Sequence, residues 1–527
     1  MRHFCTAGPV QDDIHYVLPP LARLNRDDLM DLIEQRKYFL LHAPRQTGKT
    51  SCLLALTHDL NAGGKFRAVY ANLEQAQTAR EDVAAAMPAI LNALTRGAIS
   101  FLNDEFPASV AQAALRDGGP HSALAQVLTQ WARHDPMPLC VFLDEVDALV
   151  GDTLISVLRQ LRGGYADRPQ GFPQSLILCG VRDLADYRIH GTREIITGGS
   201  AFNIKAKSLR LGDFTPDDIA ALYGQHTAET GQTFAPEVFP LVWELTRGQP
   251  WLVNALAQNA CFDQREHRDR SRQIDAGAVV QAKESLIAGR ETHIDQLAYK
   301  LREDRVRRVM EPILAGADRA TEAQADDDTQ YCIDLGLIRR GPGGLEIANR
   351  IYQEVIPREL AFEVQTDLMG WHRTEWYVTA GGRLDMDKLI EAFQQFYREN
   401  SEIWLRRFLY QEAGPQLLMQ AFFQRIVNGG GRIEREYGLG RRRTDLFIPW
   451  NHAGGVQRVV IELKMLRASL ERTIAGGLAQ TIEYMDRTGT GDAHLVIFDP
   501  RPEIGWDAKI FRREESYRDR RITVWGM

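Results

Sequence analysis

Cysteine is scarce in this sequence, and the few cysteine residues are far apart. Six cysteines are scattered over 527 residues without a C-x-x-C pair, which argues against a zinc site or a disulfide framework. Several stand inside apolar runs, where cysteine serves as a small buried residue. The thirteen histidines likewise show no H-E-x-x-H motif or clustered spacing. We therefore expect structural roles for these residues and a reducing cytosol around the protein.

Long apolar runs are missing as well. A membrane-spanning helix needs about eighteen or more consecutive apolar residues, and the sequence has no such run. The first eleven residues lack the basic start and apolar core of a signal peptide. These features predict a cytoplasmic protein with no membrane partner. The length exceeds what one hydrophobic core can hold, so several domains are expected.

The charge is unevenly distributed along the chain. The net charge is −7, whereas residues 401–527 carry 20 Lys and Arg against 16 Asp and Glu, a balance of +4. The first 400 residues therefore carry −11. A basic C-terminal part on an acidic chain indicates a polyanionic partner at that end.

The stretch Ala43–Ser51 predicts a phosphate-binding loop. It reads A-P-R-Q-T-G-K-T-S and lies between an apolar run and a helical pattern, so that backbone N–H groups of the loop and of the helix N-terminus would converge on phosphate. Lys49 would reach the outer phosphates, and the Thr50 hydroxyl would ligate Mg²⁺. Ala43 stands where the usual pattern begins with glycine. The other residues expected around the nucleotide are Arg45, Gln46, Thr47, Gly48 and Ser51.

An acidic strand end follows about 95 residues later. Leu139–Val150 reads L-C-V-F-L-D-E-V-D-A-L-V, and the apolar residues before Asp144 predict a buried parallel strand whose carboxyl end faces a ligand. Asp144 would hold Mg²⁺ through water, and Glu145 would orient and polarise the attacking water. Asp147 has no assigned role.

Arg182 follows the next apolar strand and allows two interpretations. It would sense the γ-phosphate or act as an arginine finger, or it would form a surface ion pair with Asp183 or Asp186. Further along, G-Q-P-W interrupts a helical region at Pro250.

Together, the A-P-R-Q-T-G-K-T loop, the L-D-E-V-D strand end and the G-Q-P-W turn resemble the STAND class of AAA-related P-loop ATPases, over roughly residues 1–275. The resemblance implies a three-layer α/β/α ATPase core at residues 1–210 and a helical lid at 211–290. It also implies ATP and Mg²⁺ as ligands and places Pro250 near the adenine.

Residues 291–360 predict a winged-helix domain, because a short helix is followed by a tight hairpin around G-P-G-G. Arg339 and Arg340 would let it bind DNA. The alternative, a packing and autoinhibitory module, is favoured because the helices lack a basic stripe. Residues 361–404 are assigned to a connector.

Residues 405–527 carry a second set of charged residues. Asp445 enters one predicted strand, and Glu462 and Lys464 stand two apart on the next, so they share a face. Two carboxylates and an amine suit Mg²⁺ ligation and water activation. The set, with Thr444 in place of a proline, resembles the PD-(D/E)XK (restriction-endonuclease-like) nuclease superfamily, an α/β fold. The resemblance implies further active-site roles for Gln480, Tyr484 and Glu412. The basic turn Arg441–Arg443 would contact the nucleic-acid backbone.

The sequence thus predicts an ATP-regulated nuclease that uses Mg²⁺, with Mn²⁺ as a substitute, and acts on DNA more readily than on RNA. We expect a homo-oligomer, and a role in bacterial defence against phage or foreign DNA. One alternative is a nucleotide-dependent signalling or scaffold protein that binds nucleic acid without cutting. Another is a DNA-repair or recombination motor, which the single ATPase core disfavours.

Overall fold

A computed structural model describes two compact units of the chain. The first comprises Met1–His293 and Ile333–Gly336, and the second comprises Ile294–Cys332 and Leu337–Met527. The described residues are 1–182, 188–190, 195–197, 205–289, 292–314, 327–341, 344–360, 377–405, 415, 418–420, 422–423, 434–436, 445–467, 469–501 and 503–527.

The first unit is organised around a parallel sheet. Its strands are β1 (Tyr38–His42), β2 (Arg67–Asn72), β3 (Leu139–Asp144), β4 (Ser175–Gly180) and β7 (Lys205–Arg210), while β5 (Arg188–His190) and β6 (Ile195–Thr197) form a separate antiparallel pair. The order in the sheet is β2-β3-β4-β1-β7, with all neighbours parallel. The strand β4 therefore separates the strand before the phosphate loop from the strand that ends at Asp144.

Helices cover both faces of this sheet. They are α1 (Arg26–Glu34), α2 (Lys49–Ala62), α3 (Val83–Leu102), α4 (Phe106–Gly118), α5 (Ala123–His134) and α6 (Gly151–Gly163). Alternate residues of each central strand enter two separate apolar cores, one with α1 and α2 and the other with α3 to α6. Because both faces are buried, the central strands β1, β3 and β4 are mostly apolar. The predicted parallel sheet between two helical layers is confirmed.

Four helices follow the sheet, where the sequence predicts a helical lid. They are α7 (Pro216–Thr230), α8 (Val238–Thr246), α9 (Pro250–Gln258) and α10 (Ala276–Ala288). The helix α7 begins with a complete capping box at Thr215. Short 3₁₀ or π segments occupy Pro20–Arg23, Glu74–Ala79, Val146–Ala148, Tyr165–Asp167, Asn259–Asp263 and Arg265–Arg268.

The helix α3 is the one described helix that is long and apolar enough to cross a membrane, with a mean hydropathy of 1.3. Ten of its residues are buried against the sheet and the neighbouring helices, so core packing accounts for its apolar composition. The six cysteines are all buried and unbridged, as expected for small core residues.

A helix–hairpin–helix arrangement occupies the region predicted as a winged helix. It consists of α11 (Thr292–Lys300), α12 (Asp304–Leu314), α13 (Asp327–Asp334), the antiparallel strands β8 (Ile338–Gly341) and β9 (Gly344–Ile347), and α14 (Arg350–Leu360). Arg339 pairs with Glu346 across the hairpin at 2.7 Å, so this arginine is engaged within the hairpin itself.

The C-terminal part forms a six-stranded mixed sheet. Its strands are β10 (Glu434–Glu436), β11 (Asp445–His452), β12 (Gly455–Met465), β13 (Asp492–Phe498), β14 (Phe511–Tyr517) and β15 (Arg520–Gly526), in the order β10-β11-β12-β13-β15-β14. The helices are α15 (Met386–Leu405), α16 (Leu470–Thr488) and α17 (Trp506–Lys509). The central strands β12, β13 and β15 are parallel to one another, and the outer strands are antiparallel.

Two helices pack on this C-terminal sheet. The helix α16 covers the face that carries Leu495. The helix α15 lies against Phe498, and its Gln394 amide donates to the Gly526 carbonyl oxygen at 2.7 Å. The connector that the sequence predicts at residues 361–404 therefore contains most of a helix that packs on this sheet.

Candidate nucleotide site and C-terminal carboxylate site

The loop after β1 has the backbone geometry of an anion site. Gln46 and Gly48 have positive φ angles of 58° and 88°, which curl the loop before α2 begins at Lys49. The N–H groups of residues 45, 46 and 48–50 have no acceptor among the residues that the structure describes. Several unsatisfied donors at a helix N-terminus, together with the helix dipole, favour a bound anion such as phosphate.

The side chain of Lys49 stabilises this loop through hydrogen bonds to its backbone. Its ammonium donates to the carbonyl oxygens of Ala43 at 2.9 Å and Pro44 at 3.0 Å, and its side chain is buried. The hydroxyl of Thr47 also donates to the Pro44 carbonyl, at 2.7 Å. The Ala43 methyl group is fully buried in the apolar core beside α2, so alanine fits where the usual pattern has glycine.

Asp144 lies beside the start of α2, at the carboxyl end of β3. Its Oδ2 atom accepts a hydrogen bond from Thr50 Oγ1 at 2.7 Å and one from the Tyr70 hydroxyl at 3.0 Å. Its Oδ1 atom accepts from the Glu145 N–H at 2.9 Å. A hydroxyl and a carboxylate in contact are the hard oxygen donors that Mg²⁺ prefers, so these residues fit the predicted metal. Sequence reasoning did not identify Tyr70.

Glu145 is half-buried directly after Asp144, with a positive φ of 55°. Burial raises the pKa of its carboxyl group, and the neighbouring carboxylates of Asp144 and Asp147 raise it further, while Lys49 opposes the shift. A carboxylate with a raised pKa is a stronger proton acceptor, which suits a base that polarises water.

Asp147 links the ends of two strands. Its Oδ2 atom accepts a hydrogen bond from the Val181 N–H, just after β4, and its Oδ1 atom lies 3.7 Å from the Arg182 Nε atom. The structure thus places Arg182 beside Asp147. The alternative partners predicted from the sequence, Asp183 and Asp186, lie outside the described residues. The proposed roles of Arg182 at the γ-phosphate stay predictions.

The lid and the N-terminal segment meet near the same loop. Pro250 is the buried first residue of α9, and the indole of Trp251 donates to the Thr6 carbonyl oxygen at 2.7 Å. The N–H of Val10 donates to the Ser51 hydroxyl at 3.2 Å. The N-terminal segment therefore contacts both the lid and the first turn of α2, while the place of the adenine beside Pro250 stays a prediction.

Lys49, Thr50, Asp144 and Glu145 thus meet at one edge of the parallel sheet. That edge is where the strands' carboxyl ends lie, and the chemistry available is phosphate binding, metal ligation by oxygen and water activation.

A buried ion pair marks β12 of the second unit. Glu462 and Lys464 are 1% and 8% exposed, and the lysine ammonium contacts the glutamate Oε1 atom. Leu446 pairs with Ile461 in the β11–β12 ladder, so the Asp445 position lies one register step away, across from Glu462. The two carboxylate positions and the lysine that the sequence selected are therefore neighbours in the sheet.

The helix α16 covers the face of the sheet that carries Glu462. A Cβ atom at Gly477 would lie 2.6 Å from the Leu495 side chain, and Leu495 is the register partner of Glu462 on β13. Tyr484 is buried in the apolar cluster beneath this helix, and Gln480, one turn earlier, is half-buried. Glu412 and Arg441–Arg443 lie outside the described residues.

No group of three or more His, Cys, Asp and Glu side chains with metal-site geometry occurs in the part of the chain that the structure describes. Within that part, each predicted site offers fewer ligands than such a group, which suits Mg²⁺ because it keeps several waters.

No protein-family model matches the chain, and no curated protein matches it. Among solved structures, a Walker-type ATPase of Pyrococcus abyssi is similar at 14% identity and a TM-score of 0.43, over 63% of this chain and 93% of that one. Cdc6p of Pyrobaculum aerophilum gives 15% and 0.38, over 67% and 99%. The Holliday junction branch migration motor RuvB of Thermotoga maritima gives 13% and 0.32, over 63% and 95%. With TM-scores this low, the functional conclusions rest on the geometry of the two sites.

Proposed function

We propose that the protein binds and hydrolyses ATP with Mg²⁺ in its first unit, and that this cycle regulates a metal-dependent nuclease in its C-terminal domain. The observation that carries the first part is the 2.7 Å hydrogen bond between Thr50 Oγ1 and Asp144 Oδ2. These two residues are far apart in the sequence and meet beside the buried Lys49. Their position next to unsatisfied loop N–H groups combines a metal site with an anion site.

In this proposal the chain's own groups divide the work. The loop N–H groups and Lys49 bind the phosphates. Magnesium held by Thr50 and Asp144 supplies positive charge that stabilises the phosphate oxygens. Glu145 accepts a proton from the attacking water, and its raised pKa suits that role. Arg182 lies at the neighbouring strand end, where it would contact the γ-phosphate.

The ATPase part is tested by nucleotide binding and phosphate release. Lys49→Ala is expected to weaken Mg–ATP binding and abolish hydrolysis. Glu145→Gln should still bind and should lose about 10²-fold or more in rate, as for a missing general base. The control is Lys65→Ala, because Lys65 is exposed and its ion pair with Glu34 lies on the surface. Wild-type hydrolysis by Lys49→Ala would contradict the proposal.

The nuclease part is supported by the Glu462–Lys464 pair. A buried ion pair contributes little net stability, since desolvation offsets the attraction. Stability alone therefore gives little reason for two charges inside the otherwise apolar inner part of β12. Buried charged groups are instead common in active sites.

In the proposed reaction, Asp445 and Glu462 hold Mg²⁺ or Mn²⁺, and Lys464 positions the water or offsets charge on the phosphate. Gln480 and Tyr484 support the site from α16, and Glu412 would add a further carboxylate. Arg441–Arg443 would contact the nucleic-acid backbone without regard to its sequence.

The nuclease is tested on supercoiled plasmid, linear DNA and RNA, with Mg²⁺ or EDTA and with ATP, ADP or no nucleotide. Cleavage should need the metal, change with the nucleotide and disappear in Glu462→Gln. The matched control is Glu483→Gln on α16, since Glu483 is 60% exposed and pairs with Arg487 in the next turn. DNA binding without cleavage under all conditions would favour the signalling or scaffold alternative.

A nucleotide-controlled nuclease suits defence of a bacterial cell against phage or foreign DNA. The efficiency of phage plating on cells that produce wild-type protein, Lys49→Ala or Glu462→Gln tests this role. Protection that persists in both variants would refute it.

A further inference from the structure

We propose that Tyr70 is a positioning residue of the nucleotide site, whose hydroxyl holds the Asp144 carboxylate in the orientation that receives Mg²⁺ and its waters. The proposal rests on the ATP-binding function proposed for the first unit. It assigns a role to a residue on β2, a strand that carries none of the site residues selected from the sequence.

The hydrogen bonds around Asp144 show how Tyr70 acts. Its hydroxyl donates to Oδ2 at 3.0 Å, the same oxygen atom that Thr50 contacts at 2.7 Å. The Glu145 N–H holds the other oxygen atom at 2.9 Å. Thr50 donates from α2, and Glu145 donates from the residue directly after Asp144. Tyr70 donates from the neighbouring strand β2. Donors from three directions fix the plane of the carboxylate.

Burial makes this third donor important. Asp144 is 0% exposed, so bulk water does not satisfy its oxygen atoms in place of protein donors. A buried carboxylate is costly unless hydrogen bonds stabilise its charge, and bonds to charged groups are stronger than neutral ones. Loss of the Tyr70 hydroxyl would leave Oδ2 with the hydrogen bond from Thr50, and Thr50 must also face the metal.

The phenol is held rigidly from the other side. In the β2–β3 ladder Tyr70 pairs with Phe142, two residues before Asp144. The helix α3 presses on its backbone, because a Cβ atom at Gly97 would lie 2.2 Å from the Tyr70 carbonyl oxygen. Phe101 of the same helix meets the ring edge-on, with centroids 6.0 Å apart. Phenylalanine at position 70 would keep this packing and remove only the hydroxyl.

The test measures the binding of a fluorescent ATP analogue at increasing Mg²⁺ concentrations and, separately, in EDTA. It distinguishes a role of Tyr70 in orienting the metal ligand Asp144 from a role in packing alone. We expect Tyr70→Phe to weaken binding about ten- to hundredfold with Mg²⁺, as for one hydrogen bond to a charged group, and to raise the half-saturating Mg²⁺ concentration. Binding in EDTA should be unchanged. The control is Tyr38→Phe, which removes a hydroxyl that donates to the Pro173 carbonyl oxygen at the same distance of 3.0 Å, at the opposite end of the sheet.

A double-mutant cycle with Asp144→Asn tests whether Tyr70 acts through Asp144. In the Asp144→Asn background, Tyr70→Phe should have no further effect on Mg²⁺-dependent binding. Equal losses with Mg²⁺ and in EDTA, full additivity in the cycle, or a Tyr70→Phe protein indistinguishable from wild type would each overturn the proposal. If the wild-type protein itself bound no nucleotide, the ATPase function would fail and this inference with it. Thermal unfolding of each variant distinguishes misfolding from a local effect.

Discussion

Replacing Gly97 with alanine probes the packing that carries Tyr70 to the nucleotide site. Gly97 lies inside α3, where the helix crosses β2. A Cβ atom there would be 2.2 Å from the Tyr70 carbonyl oxygen and 3.0 Å from Val69 Cγ2. The first of these contacts is to backbone, which cannot rotate away, so the helix must move outward from the sheet.

The expected cost follows from two opposing effects. Overpacking a core costs about 1–3 kcal/mol, and contact with backbone places this site at the upper end. Replacing glycine with alanine within a helix stabilises the folded state by about 1 kcal/mol, because alanine has the higher helix propensity. We therefore expect Gly97→Ala to lower the free energy of unfolding of the first unit by about 2 kcal/mol. At about 2–4 °C per kcal/mol for a domain of this size, its Tm should fall by about 4–8 °C.

The assay is scanning calorimetry, which can resolve separate transitions in a protein of more than one unit. The matched control is Gly224→Ala on α7, where Gly224 is exposed and a Cβ atom would meet no atom within 4 Å. That variant should gain up to about 1 kcal/mol from helix propensity alone. Gly97→Ala should also weaken Mg²⁺-dependent nucleotide binding, because displacement of α3 disturbs Tyr70. A Tm for Gly97→Ala as high as that of Gly224→Ala would refute the close packing of α3 on β2.

Three further predictions concern the lid and its surroundings. Gly248→Ala combines a positive φ of 82° with a Cβ atom 1.9 Å from the Phe214 carbonyl oxygen, so calorimetry should show a larger loss of Tm than for Gly231→Ala, which has positive φ and open space. Thr215→Ala removes the capping box of α7 and should cost about 1 kcal/mol in urea unfolding; an unchanged midpoint would contradict this. Burial lowers the pKa of His293 from 6.5 to about 4, so the unfolded chain binds the extra proton as pH falls between these values. His293 should therefore contribute a loss of about 1.4 kcal/mol per pH unit below 6.5, and His293→Phe should flatten that part of the pH dependence in urea melts from pH 7 to 4.

Much of the first unit follows from short-range patterns. The apolar run before Asp144 predicted a strand buried on both faces, and every residue of β3 is buried. At Thr215 the local sequence T-P-D-D carries the residues of a helix N-terminus, and the capping box is present. The hairpin around G-P-G-G appears as β8 and β9 at nearly the expected residues. These features depend on local backbone preferences and hydrophobic periodicity, and residues close together in the sequence specify both.

The partners of particular side chains did not follow from such patterns. Asp147 had no role in the sequence, yet it joins the ends of β3 and β4 through the Val181 N–H. Arg182 was given Asp183 or Asp186 as one alternative partner; both lie outside the described residues, and the described partner is Asp147, which the sequence did not indicate. The helix α15, expected in a connector, packs against Phe498. In each case the contact depends on which strands are neighbours.

The candidate phosphate and metal ligands were therefore predictable from residue type and local pattern, because the side chains of Lys49, Thr50, Asp144 and Glu462 suit that chemistry. Which of them meet, and which residues support them, depends on long-range packing in the folded chain. The placement of β4 between β1 and β3, and of β2 beside β3, brings Thr50 and Tyr70 to the same carboxylate oxygen of Asp144. Strand order is set by the packing of whole layers rather than by local preference, so the role of Tyr70 became visible only in the folded chain.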